Sequence, residues 1–285
     1  MDLNELLAQH HWADDYVVLP IAEEPYNSLI LLFKHCAPFL YPPGVAHIPA
    51  YYFGSHTLYN AAQELCRHLQ GSGYQSQANG NFFYKSAAES AGLARMDTTL
   101  VFHPKFGTYV SLAPVKAAAV LPQRCIEQSP VCTHCGLCTA ACPGGALCNG
   151  AFTRSKCIRL YLDGKNLPPP DMQTDMMVLG CEVCQRVCPQ NPQLFTPMPE
   201  EFAQLFSIEH LLNIAYVSAH MEDYKSRIGT NYARRNALIN MGCMAAGGSG
   251  DAQYLPALQI LCGFEDEKVA QMANRAIAQI TAQAD

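Results

Sequence analysis

The chain has 285 residues, 49% of them hydrophobic and only 15% charged, with a formal net charge of -6. That is enough apolar mass for two or three domains with cores of their own. An acidic balance excludes a global positive field drawing the chain to nucleic acid or anionic lipid, so any such contact must be local.

The amino terminus, Met1-Asp-Leu-Asn-Glu-Leu-Leu, lacks the basic stretch and apolar core of a secretory signal, and segments 29–33 and 110–121 are too short or interrupted to span a bilayer. A cytoplasmic protein without membrane contact is the expectation. Fourteen cysteines in a long chain of this kind read as metal ligands in place of a disulfide framework.

To about residue 124, strand-like and helix-like patterns alternate. Val17-Val-Leu-Pro and residues 28–33 read as buried strands, and Leu58, Ala61, Ala62, Leu65 and Leu69 fall at helical spacing before Gly71-Ser-Gly stops the run. A second helix is expected over 85–91, and a hairpin over 98–103 and 107–112 with Pro104-Lys-Phe-Gly107 at its turn. Residues 125–195 are rich in Cys, Pro and Gly and cannot build an ordinary apolar core, so metal must supply the cross-links. Beyond Thr196-Pro-Met-Pro199, helices are expected over 200–206, 208–219, 232–244, 252–262 and 268–281. Asp251 is the cap of the fourth, and Leu255, Leu258, Val269 and Ala276 are packing positions. The paired helices suggest a HEAT-like segment over 196–285, and the fold class is α+β.

The run Cys132-Thr-His-Cys135-Gly-Leu-Cys138-Thr-Ala-Ala-Cys142-Pro143 has the spacing C-x2-C-x2-C-x3-C-P. Two-residue loops let three thiolates converge on one iron–sulfur cubane, and the proline-flanked fourth ligates a neighbouring cluster. A zinc ribbon takes its four thiolates from paired knuckles and does not call for this three-plus-one pattern. The second run, Cys181-Glu-Val-Cys184-Gln-Arg-Val-Cys188-Pro189, supplies three more. Two cubanes need eight thiolates and the runs hold seven, so the eighth must come from Cys157 or Cys148, with Cys157 favoured. Exchange of the proline-flanked residues assigns Cys132, Cys135, Cys138 and Cys188 to one [4Fe-4S] cluster, and Cys142, Cys157, Cys181 and Cys184 to the other. Cys36, Cys66, Cys125, Cys148, Cys243 and Cys262 then read as small core hydrophobes.

In these runs the chain resembles the epoxyqueuosine reductases, relatives of the cobalamin-dependent reductive dehalogenases. Cys157-Ile-Arg-Leu-Tyr-Leu162 looks like the family's cysteine segment before the second run, which supports Cys157. Ala88-Glu-Ser-Ala-Gly-Leu93 and Thr98 through Leu112 are similar to its cobalamin-domain helix and hairpin. Arg235-Asn-Ala-Leu238 and 248–258 look like its helical repeats. The resemblance implies an amino-terminal cobalamin-binding domain over 1–124, a bacterial-ferredoxin-like double-cluster domain over 125–195 and the HEAT-like segment. It further implies single electrons passed to a corrinoid, a low-potential donor such as ferredoxin or flavodoxin, and a tRNA substrate.

The sequence departs from the family at three places. Its amino-terminal segment before residue 28 is shorter. Gln77-Ala-Asn-Gly-Asn-Phe stands where the proton-donating acid is expected, and Ala94-Arg-Met-Asp97 replaces a Gly-Lys-Asn stretch, with Asp97 a substitute acid or a turn residue. The alternative function is therefore an electron-transfer or partner-docking protein without cobalamin. His103 and His134 read as surface residues or tuners of a cofactor. Lys225, Arg227, Arg234 and Arg235 form a local basic group, meeting phosphates or lying on a solvated helix face.

Overall fold

A computed structural model of the chain describes residues 3–80, 84–95, 100–127, 132–148, 150–169, 172 and 174–284. In chain order the amino-terminal elements are α1 (Leu3–His10), β1 (Asp15–Glu23), β2 (Tyr26–His35), β3 (Phe39–Leu40), α2 (Ala50–Gly71), β4 (Ser76–Ala78), α3 (Tyr84–Ser90), β5 (Ala94–Arg95), β6 (Val101–Phe102) and β7 (Val110–Ala117). The cysteine-rich middle carries α4 (Leu137–Ala141), β8 (Leu147–Cys148), β9 (Ala151–Phe152), α5 (Val183–Arg186) and β10 (Thr196–Pro197). Helices follow: α6 (Glu200–Leu205), α7 (Ile208–Leu212), α8 (Ile214–Ala219), α9 (Met221–Ile228), α10 (Arg235–Ser249), α11 (Leu255–Leu261) and α12 (Glu267–Ala284).

The chain forms two compact units. One comprises Met1–Ala37, Phe53–Cys135 and Cys188–Gln193; the other comprises Pro38–Tyr52, Gly136–Val187 and Leu194–Asp285. In the first unit an antiparallel sheet runs in the order β1-β2-β7-β4. Successive strand residues point to opposite faces, and here both faces are covered. Val18, Ile30, Leu32 and Val115 pack with Leu58, Leu65 and Leu69 of α2. Val17, Leu19, Leu29, Leu31 and Phe33 pack with Ala88 of α3, the adjoining Ala91 and Val101 of β6. A strand buried on both faces reads as the unbroken apolar run that marks β2, and each such side chain contributes roughly 1.5–3 kcal/mol by leaving water.

The expected hairpin is corrected. Residues 98 and 99 lie outside the described residues, β6 pairs with β5, and β7 pairs with β2 and β4. One bridge, His103 to Gly107, closes the turn between them. The eight-residue β7 finds longer partners in the sheet than the two-residue β6 offers.

In the second unit, α10 packs on α12 and α7, and α11 packs on α12. Val269, Met272, Ala273, Ala276 and Ile280 form the buried stripe of α12 at helical spacing. Leu258 is buried too, as its packing role required, and the Asp251 side chain accepts a hydrogen bond from the Gln253 amide at the start of a 3-10 turn. The helix expected over 208–219 is two helices, because the Asn213 side chain caps the second by accepting from the Tyr216 amide. The helix expected from 232 starts at Arg235. Among the described residues no helix is long and apolar enough to cross a membrane.

Candidate iron-sulfur centre

Three separated segments of the second unit meet at its cysteines. Cys138 lies in α4, a five-residue helix that opens at Gly136 and ends in Cys142. Cys157 joins two 3-10 turns, Arg154–Lys156 and Ile158–Leu160. Cys184 lies in α5, two residues beyond its N-cap Glu182, with Cys181 just before it.

Gly144 explains how the first two segments come so close. A Cβ there would lie 2.1 Å from the Lys156 carbonyl oxygen and 3.1 Å from Ile158 Cγ2, so only glycine lets the Cys142-Pro143 segment lie against the backbone carrying Cys157. The amide of Ala146 donates to Cys142 Sγ at 3.3 Å, the kind of N–H···S contact that steadies a thiolate.

Cys181 is aimed by a strained turn. Leu179 sits at φ 61, and the Gly180 amide donates to the Val178 carbonyl at 2.7 Å, closing a three-residue γ-turn. A branched residue in that region costs about 1–3 kcal/mol and persists only when its surroundings over-determine it. They do: Leu179 is fully buried, its amide donates to the Leu162 carbonyl at 2.6 Å, and its carbonyl accepts from the Tyr52 hydroxyl at 2.5 Å.

The electrostatics report the same convergence. Burial pushes the Cys181 thiol up to about 11, with Cys157 and Cys142 pushing the same way. Burial pushes Cys184 up to about 12, reinforced by Cys181, Cys142, Cys138 and Cys157. Like charges this close cannot all ionise unless a cation joins them, so the donor set fits a metal cluster that displaces the protons. Among the described residues no group of three or more His, Cys, Asp or Glu is gathered tightly enough for a single metal ion. A cubane spreads its four thiolates over its corners and sets them farther apart than a single ion does.

In the first unit, burial and then the nearby Cys132 and Cys135 raise the Cys188 thiol. The segment after it is held by Asn191, whose side chain bonds Thr108 twice.

The scattered cysteines divide. Cys36, Cys66 and Cys243 are buried as expected of small hydrophobes and Cys262 is partly buried, whereas Cys125 and Cys148 are exposed. Exposure of Cys148 follows from its place at the turn of the two-residue β8–β9 ladder. His103 is also corrected: it is fully buried, with Nε2 at 3.2 Å from Asp15 Oδ2 and Nδ1 accepting from the Lys105 amide. Burial works against the Asp15 charge, but His103, Arg124 and the Tyr16 amide hold its carboxyl well below the usual range. His134, at φ 53 between Cys132 and Cys135, is exposed.

The basic group of the helical region carries less free charge than its sequence suggests. Lys225 pairs with Glu222 at 2.7 Å, Arg227 with Glu201 at 3.3 Å and Arg235 with Glu265 at 3.2 Å. Asp97, the substitute acid, lies outside the described residues. The stretch in place of the family's acid includes β4, an edge strand at Ser76–Ala78.

Sequence reasoning missed a cavity of about 300 Å³ beside α5, lined by Tyr41, His47, Glu182 and Arg186 among others. Arg186 Nε donates to Glu182 Oε1 at 2.8 Å, and Tyr41 stacks on His47 at 4.4 Å. Burial raises the Glu182 carboxyl even against Arg186. The residues flanking the cysteines gave no periodic signal that pointed to this pair.

Residues 131–191 match the model of a 4Fe-4S double cluster binding domain. In sequence the chain is similar to the epoxyqueuosine reductase of Bacillus subtilis, 33% identical over 112 residues that are 38% of this chain and 28% of that one. Likewise it is 40% identical to that of Cellulophaga algicola over 85 residues, 25% of this chain and 28% of the relative. The matched stretch thus spans less than a third of either relative. The fold is shared across nearly the whole chain. A solved epoxyqueuosine reductase superposes with a TM-score of 0.76 at 19% identity, covering 98% of this chain and 90% of that one. The enzyme solved with an epoxyqueuosine-modified tRNA-Tyr stem loop gives 0.75 at 19% identity over the same shares.

Proposed function

We propose that this chain, a divergent relative of the epoxyqueuosine reductases, is an iron–sulfur redox enzyme that passes single electrons through two [4Fe-4S] clusters. Convergence of Cys142, Cys157, Cys181 and Cys184 from three segments of one compact unit, where burial and then the neighbouring thiols raise Cys181 and Cys184, is the observation that carries this reading. These four hold one cluster. By their spacing, Cys132, Cys135, Cys138 and Cys188 hold the other. Once bound, the clusters supply reversible one-electron storage; the chain's own residues orient the thiolates, donate hydrogen bonds to them and limit water.

The working parts are an amino-terminal domain over 1–124 that presents the acceptor, a corrinoid by analogy with the family, a cluster domain over 125–195 and a HEAT-like segment over 196–285. A low-potential ferredoxin or flavodoxin in the cytoplasm is the donor, and a modified tRNA is the substrate class that the relatives' names suggest. Anaerobic reconstitution tests this: iron and sulfide are counted, then cobalamin is added while the visible spectrum is followed. Two clusters with retained and reduced corrinoid support the reading. Zinc, or no metal, in the anaerobically isolated chain refutes it.

One observation favours a second reading, an electron carrier or docking protein without cobalamin. Residues 77–80, Gln-Ala-Asn-Gly, contain no carboxylate where the family places its proton donor. Two clusters without retained corrinoid select that reading.

A further inference from the structure

The cluster segment carries charge of one sign along its sequence. From residue 128 to residue 162 the chain contains no Asp or Glu, yet Arg154, Lys156 and Arg159 fall within six residues around Cys157, in a chain of net charge -6. Arg154, Lys156 and Arg159 are all exposed, and Arg154 and Lys156 form no ion pair among the described residues. Arg159 donates to the Tyr232 hydroxyl at 3.3 Å and lies over the Tyr52 ring at 6.0 Å, so Arg154 and Lys156 carry the charge that a partner meets. Beside this rim, Phe152 on β9 is 39% exposed, an aromatic surface on the strand leading into the turn. Gly144 packs directly against the Lys156 carbonyl, which ties this turn to the Cys142-Pro143 segment.

We infer that this segment, with exposed Phe152, Arg154 and Lys156 leading into the ligand Cys157, is where an acidic one-electron carrier protein docks. The inference rests on the cluster reading above and adds the entry point. A small apolar centre with a charged rim suits a transient encounter, in which complementary charge speeds association and a small buried area permits release. A nucleic acid also seeks cations, but these three fall within six residues around one cluster ligand, where an electron donor must come. In the step itself the carrier is oxidised by one electron and the cluster held through Cys157 is reduced by one, with no bond formed or broken.

The test is stopped-flow reduction of the reconstituted full chain by reduced flavodoxin, an acidic carrier, for the parent and for Arg154→Glu/Lys156→Glu. Neither substituted residue is a ligand. At low salt the variant should be reduced about tenfold more slowly, and the gap should close at high salt as screening removes the steering. Iron content and reduction by dithionite should match the parent. Equal rates at low salt overturn the inference. So does a loss confined to binding of a labelled anticodon stem loop, which would make this an RNA-binding face. A parent without iron would instead refute the cluster reading.

Discussion

The side-chain amide of Asn191 clasps Thr108 at two points: Oδ1 accepts from the Thr108 backbone amide at 2.8 Å, and Nδ2 donates to Thr108 Oγ1 at 2.9 Å. Both residues are buried, and Gly107 makes the approach feasible. A Cβ there would stand 2.3 Å from Asn191 Oδ1, at a backbone φ of 61. The clasp fixes the segment that follows Cys188-Pro189 to the turn preceding β7.

Removing this clasp should loosen the cluster that Cys188 holds. Asn191→Ala leaves the buried Thr108 amide without this acceptor, a cost of about 1–3 kcal/mol. The expected outcome is selective loss of iron, towards about four per chain from about eight, with the electron paramagnetic resonance of one reduced cluster retained. Asn191→Asp, which keeps the acceptor, should recover part of the loss. Full loading of both clusters in Asn191→Ala would contradict this.

Cys157 and Cys148 should separate cleanly. Cys157→Ala should halve the iron, to about four per chain, and Cys148→Ala should leave about eight. Iron and sulfide analysis of anaerobic samples decides it, and the reverse result would move the eighth ligand to Cys148.

The Glu182–Arg186 pair has a predictable asymmetry. Arg186→Ala strands a buried carboxylate and should destabilise by about 3 kcal/mol, the low end for a broken buried pair because the Arg186 side chain is 30% exposed. Glu182→Gln should cost less, since the amide oxygen still accepts from Arg186. Urea unfolding of the two variants checks the order.

Asp15 should make the first unit sensitive to acid. Its folded pKa is depressed, so its contribution is complete above the unfolded value of 3.8 and is lost as the pH falls through the folded value. Asp15→Asn should therefore be less stable than the parent at pH 7, and the difference in urea midpoint should shrink below about pH 4. A gap that does not change with pH would mean the carboxylate's charge plays no part.

The sequence by itself determined the cysteine runs and the apolar runs of β1 and β2, because ligand spacing and an unbroken apolar run are local and need only neighbouring residues. It also carried the helical stretches around Leu65, Leu258 and Val269, where a buried stripe repeats every three or four positions. Only the tertiary structure decided which strand pairs with β7, since pairing depends on edges contributed by β2 and β4 from far along the chain. It alone set the Leu179 turn, the Gly144 and Gly107 approaches and the burial of His103. Each follows from atoms distant in sequence meeting at van der Waals range, a relation that no short window of residues contains.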